Sequence, residues 1–157
     1  MLFITKSENE TIRLGKKFSR TLKGGEVILL IGNLGSGKTT FVKGVAQGLG
    51  VKKNITSPTF ILMKVYRLKK PKNKIKNLVH LDTYRGLTSA DFKNIGATEY
   101  FGRKDAACFV EWGAKLEKYL KQNSIACVKI KIKILSENKR RFEIKNKKPV
   151  ARGQQDY

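Results

Sequence analysis

Glu26-Val27-Ile28-Leu29-Leu30-Ile31-Gly32-Asn33-Leu34-Gly35-Ser36-Gly37-Lys38-Thr39 joins an apolar run to a complete G-x-x-x-x-G-K-T pattern, and Thr40-Phe41-Val42 continues it into a helical spacing. Strand, glycine-rich turn and helix in that order form a phosphate-binding loop. Glycine allows the backbone to fold around a phosphate chain with its N–H groups pointing inward, and the helix behind contributes the partial positive charge of its N-terminus. In such a loop Lys38 reaches the β- and γ-phosphates and the Thr39 hydroxyl is placed on Mg²⁺. The loop backbone at Gly32, Gly35, Ser36 and Gly37 and the start of the helix at Thr40 complete the expected phosphate cradle.

Outward from the loop, the chain reads as alternating helices and strands. Ser7-Glu8-Asn9-Glu10 has the form of a capping box, and Leu14, Phe18 and Leu22 follow at helical spacing until Gly24-Gly25. The loop helix is predicted from Thr39 to Leu49, with Phe41, Val42, Val45 and Leu49 on one face. Thr56-Ser57-Pro58 forms a loop, a strand is predicted from Phe60 to Arg67, and the charged run from Arg67 to Lys76 reads as a mobile connection. Two apolar strands each end in a carboxylate: Leu78 to Asp82, and Ala106 to Glu111. Between them, Ser89-Ala90-Asp91 caps a short helix that Ile95-Gly96 ends. A helix over Ala114–Gln122 and a hairpin follow, the latter pairing Val128–Ile134 with Arg141–Lys145 through a turn at Ser136 to Lys139.

This alternation predicts an α/β fold in three layers, with a mainly parallel central sheet, antiparallel edge strands and a C-terminal hairpin. The expected organisation is one domain over residues 1–147 followed by a polar tail over 148–157. At 157 residues the chain can bury one sizeable core. It carries no apolar run of membrane-spanning length and no secretory h-region. Cys108 and Cys127 lie in apolar stretches without metal-type spacing and read as reduced core residues.

In an open parallel sheet the ligand sits beyond the carboxyl ends of the strands, where Asp82 and Glu111 fall. A nucleotide-bound Mg²⁺ takes one or two protein carboxylates, so both acids are candidates for the metal. His80 is the single histidine and sits in an apolar strand, which reads as a structural side chain. Trp112, next to Glu111, reads as an aromatic beside the site that could stack on a base or a partner. Arg85 suits an ion pair with Asp82 or a contact with phosphate or partner equally well.

Thirty-four basic against 12 acidic side chains give a formal net charge of +22. Lysines outnumber arginines 26 to 8, whereas bidentate phosphate recognition favours arginine. A solvated basic surface and a field that recruits a polyanion both fit this composition.

The stretches Gly32 to Thr40, Ser57-Pro58-Thr59-Phe60, His80-Leu81-Asp82-Thr83-Tyr84-Arg85 and Val110-Glu111-Trp112 together resemble the TsaE family. This is a family of small bacterial ATPases used in threonylcarbamoyladenosine modification of tRNA. Glu10-Thr11, Ile95-Gly96 and Glu99-Tyr100-Phe101 extend the resemblance across nearly the whole chain. It implies a P-loop NTPase fold and a cytoplasmic protein that hydrolyses ATP with Mg²⁺. It also implies work with TsaB and TsaD, the latter transferring the threonylcarbamoyl group to the adenosine beside the anticodon in tRNAs that read codons beginning with A. By matching positions, Lys38 and Thr39 carry phosphate and metal binding, and Asp82 and Glu111 serve the metal and the attacking water. Ser57 and Thr59 belong to a switch-like loop facing the γ-phosphate, and Thr11 lies near the base. The chain departs from the family pattern at Asn33, at Gly113-Ala114 and in the lysine-rich segment Lys69 to Lys76, which reads as an exposed hairpin loop. A small P-loop kinase would share the loop but needs an arginine-bearing lid. A nucleic-acid-binding module would account for the charge but leaves the loop and both carboxylate strand ends unexplained.

Overall fold

The computed structural model describes residues 1–84 and 86–147, so the readings of Arg85 and of the 148–157 tail lie outside the described residues. One seven-stranded sheet runs in the order β1-β7-β6-β2-β5-β4-β3. Its strands are β1 (Leu2–Thr5), β2 (Val27–Ile31), β3 (Met63–Lys72), β4 (Ile75–Asp82), β5 (Ala106–Glu111), β6 (Cys127–Ile134) and β7 (Arg140–Lys147). The central strands β6, β2, β5 and β4 are mutually parallel, and β3, β7 and β1 add antiparallel pairs at the two edges.

Helices α1 (Glu8–Ser19) and α2 (Lys38–Gly48) cover one face, and α3 (Ser89–Asn94) and α4 (Leu116–Gln122) lie on the other. The alternation in β2 decides which side chain meets which layer. Ile28 and Leu30 join Phe18, Phe41, Val42 and Val45. Val27 and Leu29 join Phe92, Leu116 and Leu120. Phe41 and Phe109 are fully buried, and each such side chain contributes roughly 2 to 3 kcal/mol through the area it removes from water.

A Cβ on Gly44 of α2 would stand 2.1 Å from the Ile12 carbonyl of α1, so the two helices meet backbone to backbone. That close approach carries Thr11 of α1 to the flank of the phosphate loop. The helix start at Ser7 is as expected, its side chain accepting from the Glu10 N–H at 3.1 Å. The Glu10 carboxylate, however, accepts from the Lys6 N–H at 2.7 Å, one residue before the position a reciprocal capping box uses. α1 also ends at Ser19, well before Gly24-Gly25.

Three other expectations need correction. The strand predicted from Phe60 begins at Met63, because the N–H groups of Ile61 and Leu62 turn back to the Pro58 carbonyl and Leu62 takes a left-handed φ of 66°. The charged run is not a mobile connection. It is the distal half of a β3–β4 hairpin, turned by Asn73 and Lys74 at φ 49° and 70°, so the exposed-hairpin reading of Lys69 to Lys76 was the better one. The helix read as Ala114–Gln122 starts with a tight turn over Gly113–Lys115, and its α-helical part is Leu116–Gln122. β1, which no periodicity announced, is an edge strand held only by β7. Both cysteines are buried, and among the described residues no helix is long and apolar enough to cross a membrane.

Candidate nucleotide site

β2 delivers the chain to Gly32, where a Cβ would meet Ser36 Oγ at 2.5 Å and the Ile132 carbonyl at 2.7 Å. Only glycine fits between the loop and β6. Gly35 and Gly37 take left-handed φ values of 74° and 99°, and Gly37 caps α2 without any side-chain bond to its first N–H groups. Those groups are left for an anion.

The Lys38 ammonium curls back over the loop. It donates to the Gly32 and Asn33 carbonyls at 2.8 and 3.0 Å and lies 4.1 Å from the centre of the Trp112 ring. Burial lowers its pKa below the usual 10.5, while the charges of Glu111 and Asp82 pull the other way.

β4 and β5 are in register with Asp82 opposite Glu111, so both carboxylates arrive at the same sheet edge as the loop, each only 3% exposed. Glu111 Oε1 accepts from the Thr39 hydroxyl at 2.6 Å and from His80 Nε2–H at 2.8 Å. Asp82 Oδ2 accepts from the Ser57 and Thr59 hydroxyls, both at 2.9 Å, and Oδ1 from the Tyr84 N–H at 2.9 Å. The Thr83 hydroxyl donates to the Glu111 and Trp112 carbonyls at 3.0 and 2.9 Å, pinning the strand end.

The result is a recess of about 400 Å³ at the strand ends. The structure brings Gly35, Gly37, Lys38, Thr39, Thr40, Ser57, Thr59, Asp82, Glu111 and Trp112 to its wall. Gly32 and Ser36 lie behind it as packing elements, Ser36 Oγ being buried without a partner among the described residues. Thr11 faces a second recess of about 230 Å³ on the other side of Gly35 and Gly37. Its hydroxyl is 2.9 Å from that of Thr5 and it is 3% exposed, so it supports the wall more than it presents a donor.

His80, read as a structural side chain, contributes to the site, and two other contributors, Tyr84 and Arg140, were missed. His80 is fully buried and bonded to Glu111; its register partner is Phe109, which puts Glu111 on the diagonal two residues on. The Tyr84 ring, 61% exposed, lies 5.0 Å from Trp112. Arg140, at the start of β7, donates to the Gly35 carbonyl at 3.1 Å and lines the second recess. No local pattern signals Arg140, because 105 residues separate it from Gly35.

Mg²⁺ suits this donor set. Adjacent ligands of an octahedral ion at 2.0–2.1 Å stand about 2.9 Å apart, and Thr39 Oγ1 and Glu111 Oε1 are 2.6 Å apart. Among the described residues no three His, Cys, Asp or Glu gather into a cage. The ion would therefore depend on nucleotide phosphates and water to complete its shell, as Mg²⁺ ordinarily does.

The family model for threonylcarbamoyl adenosine biosynthesis protein TsaE matches residues 5–142, which contain every one of these side chains. The chain belongs to the TsaE family. A TsaE of Treponema pallidum, named as a tRNA threonylcarbamoyladenosine biosynthesis protein, is 36% identical over 92% of this chain and 99% of its own length. An Aquifex aeolicus TsaE of the same description is 38% identical over 92% of this chain and 95% of its own. The crystal structure of Bacillus subtilis YdiB superposes with a TM-score of 0.70 at 33% identity, covering 90% of this chain and 82% of that one. The P-loop architecture and strand layout described above are thus those of a TsaE-family structure.

The packing around Gly113 explains why glycine sits there. A Cβ there would lie 2.9 Å from Leu29 Cδ2, and Trp112 before it takes a left-handed φ of 61°. The chain leaves the site through a tight turn pressed onto the central strand, where this sequence has Gly113-Ala114.

Proposed function

We propose that this protein hydrolyses ATP in the recess at the ends of β2, β4 and β5, and that the hydrolysis supports threonylcarbamoyl modification of the adenosine beside the anticodon of tRNA. The observation that carries the reading is the convergence of Lys38 and Thr39 with two buried carboxylates at one sheet edge. ATP supplies the γ-phosphoryl group and water the nucleophile. A P–O bond to water forms as the bond to the ADP oxygen breaks, giving ADP, phosphate and a proton.

Lys38 swaps its two carbonyl partners for phosphate oxygens, and its charge offsets the charge that develops on the leaving group. Thr39 and Glu111 hold Mg²⁺, with His80 fixing the Glu111 carboxylate from behind. When bound, the ion would neutralise negative charge that develops on the phosphates. Asp82 would orient the attacking water and could join Thr39 and Glu111 in holding the ion. Its bonds to Ser57 and Thr59 tie it to the loop expected to face the γ-phosphate.

The reading extends to partners. TsaB and TsaD hold the Ser57 to Phe60 segment in its hydrolysis-competent position, turning a sparsely populated arrangement into the main one. The protein then works in the cytoplasm, meeting tRNA through the complex. Phosphate release by the chain alone and with TsaB, TsaD and tRNA tests this: slow release alone and faster release in the mixture are expected. Absence of turnover in both, or transfer of the γ-phosphoryl group to a small-molecule acceptor, would overturn the reading in favour of a kinase. In cells, depletion should lower the modified nucleoside measured by mass spectrometry, and Lys38→Ala should fail to restore it.

A further inference from the structure

The positive charge is not spread evenly in space. No Asp or Glu occurs between Thr11 and Gly25, and none between Val27 and Leu81. The fold brings parts of these two acid-free stretches together at the end of the molecule away from the nucleotide recess. There the C-terminal ends of α1 and α2 meet the tip of the β3–β4 hairpin. The Lys72 ammonium donates to the Gly48 carbonyl at 2.8 Å, and the Asn73 side-chain amide donates to the Leu22 carbonyl at 2.9 Å, fastening the tip to the end of α2 and to the segment that follows α1. Between them lies a polar recess of about 560 Å³, lined by Lys16, Ser19, Arg20, Gln47, Lys72 and Asn73.

We propose that this recess binds phosphate groups of an RNA backbone. Lysines at helix C-termini often only offset the negative end of the dipole, and Lys72 does so for α2. Lys16, in the last turn of α1, and Arg20, at its C-cap, also face the negative end of a helix, but both are exposed and neither side chain is bonded to a carboxylate or a carbonyl among the described residues, so their charge is available to a ligand. Lys69, Lys70 and Lys74 stand exposed on the same hairpin, also outside every ion pair among the described residues.

The chemistry of the surface selects the partner. Tyr66, Leu68 and Ile75 are buried and Val65, further from the tip, is the one large hydrophobic side chain exposed on β3, so the tip itself offers cations and amides rather than an apolar surface that inserts into a bilayer. Gln47 adds a neutral donor of the kind that contacts phosphate and sugar. No aromatic side chain lines the recess, so binding should follow the backbone and be indifferent to base sequence. The choice of RNA over other polyanions rests on the tRNA-modification reading above. Binding is therefore measured without nucleotide or partner proteins, so that failure here leaves the ATPase reading to its own test.

Fluorescence anisotropy of a labelled tRNA titrated with the full chain tests the proposal at several salt concentrations. Three cations on phosphates contribute about 2 to 3 to the slope of log K against log salt. Lys16→Glu with Arg20→Glu should weaken binding about tenfold or more at low salt and flatten the slope by about 1.5. Lys118→Glu with Lys121→Glu on α4, both exposed and equal in charge change, is the control and should cost far less. Unaltered thermal unfolding and ATP affinity in both variants show that the fold is intact. Equal losses in the two variants would mean diffuse charge and no site. Unchanged tRNA binding in the recess variant would likewise overturn the proposal. So would stronger dependence on Lys16 and Arg20 for phosphatidylserine-rich vesicles than for tRNA, which would make this a membrane surface.

Discussion

Replacing Lys38 with alanine tests the site at its most charged point, and the structure sets the expected size. In the free protein the ammonium is not in bulk water: it already donates to two carbonyls and rests on the Trp112 ring. Binding ATP exchanges two bonds to neutral oxygens for two to ionised ones, a gain of about 1 to 1.5 kcal/mol each. Leaving the Trp112 ring returns about 0.5 to 1 kcal/mol of that. The net is about 2 kcal/mol, so Lys38→Ala should raise the Kd for ATP roughly 30-fold. Turnover should fall by about a further hundredfold, because the charge on the phosphoryl oxygens grows only in the transition state.

Burial lowers the Lys38 pKa, whereas bound phosphates favour the ammonium. ATP binding should therefore take up a proton at alkaline pH, and affinity should fall as pH rises through the lowered pKa. Stability moves in the opposite sense. The unfolded chain holds this proton more tightly, so between the folded and unfolded pKa values stability from this group rises with pH. Calorimetry in buffers of different ionisation enthalpy reads both Kd and proton uptake. Trp112, the single tryptophan, reports the departure of the ammonium by fluorescence. A folded Lys38→Ala variant that binds ATP within about threefold of the parent, against the 30-fold expected, would refute the reasoning.

Asp82→Asn and Glu111→Gln keep size and hydrogen bonding while removing charge, so Mg²⁺-dependent phosphate release should fall about tenfold or more. Nucleotide binding without metal should change little, and parental turnover in both variants would show the carboxylate assignment wrong. His80→Leu, which strips Glu111 of its buried donor, should raise the Mg²⁺ concentration for half-maximal turnover about tenfold, with His80→Gln recovering part of the loss. Burial pushes the Cys108 thiol up to about 12, so its alkylation by iodoacetamide at mildly alkaline pH should follow unfolding, and a native-state rate equal to that of a free thiol would contradict the packing. The same group makes stability fall as pH rises past the ordinary thiol value, since only the unfolded chain then carries the thiolate.

The elements that sequence resolved well are those whose signal is local. β2, the glycine loop and α2 are contiguous, and the carboxylates that end β4 and β5 followed from apolar runs closed by a single acid. Where tertiary contacts chose the conformation, the pattern misled. Phe60-Ile61-Leu62 has the composition of a strand, but the β3–β4 register stops at Met63 opposite Leu81, with a single further bond from the Asp82 N–H to the Leu62 carbonyl at 3.0 Å, and the segment folds back on Pro58 with Phe60 85% exposed. In the hairpin that follows, Tyr66 and Leu68 face the core, yet Lys69, Lys70 and Lys72 dilute the alternation until it reads as a loop. A strand can end in solvent with no apolar pattern when its ladder and a left-handed turn hold it.

The same distinction divides the site. Residues inside one motif were legible individually, because phosphate geometry constrains neighbours in the chain. His80 and Arg140 were not, since each acts through a register that no window of sequence contains. His80 matters only because β4 and β5 are parallel and aligned with Asp82 against Glu111. Arg140 matters only because β7 returns beside β6 at the edge where Gly32 packs on Ile132. A shift of one residue in the β4–β5 register would turn Asp82 to the opposite face from Glu111 and break the His80 bond. The precision of the candidate site is therefore set by the ladder of buried strands beneath it, and Cys108, Phe109 and Val110, which are buried and do not line the recess, hold the two carboxylates in place.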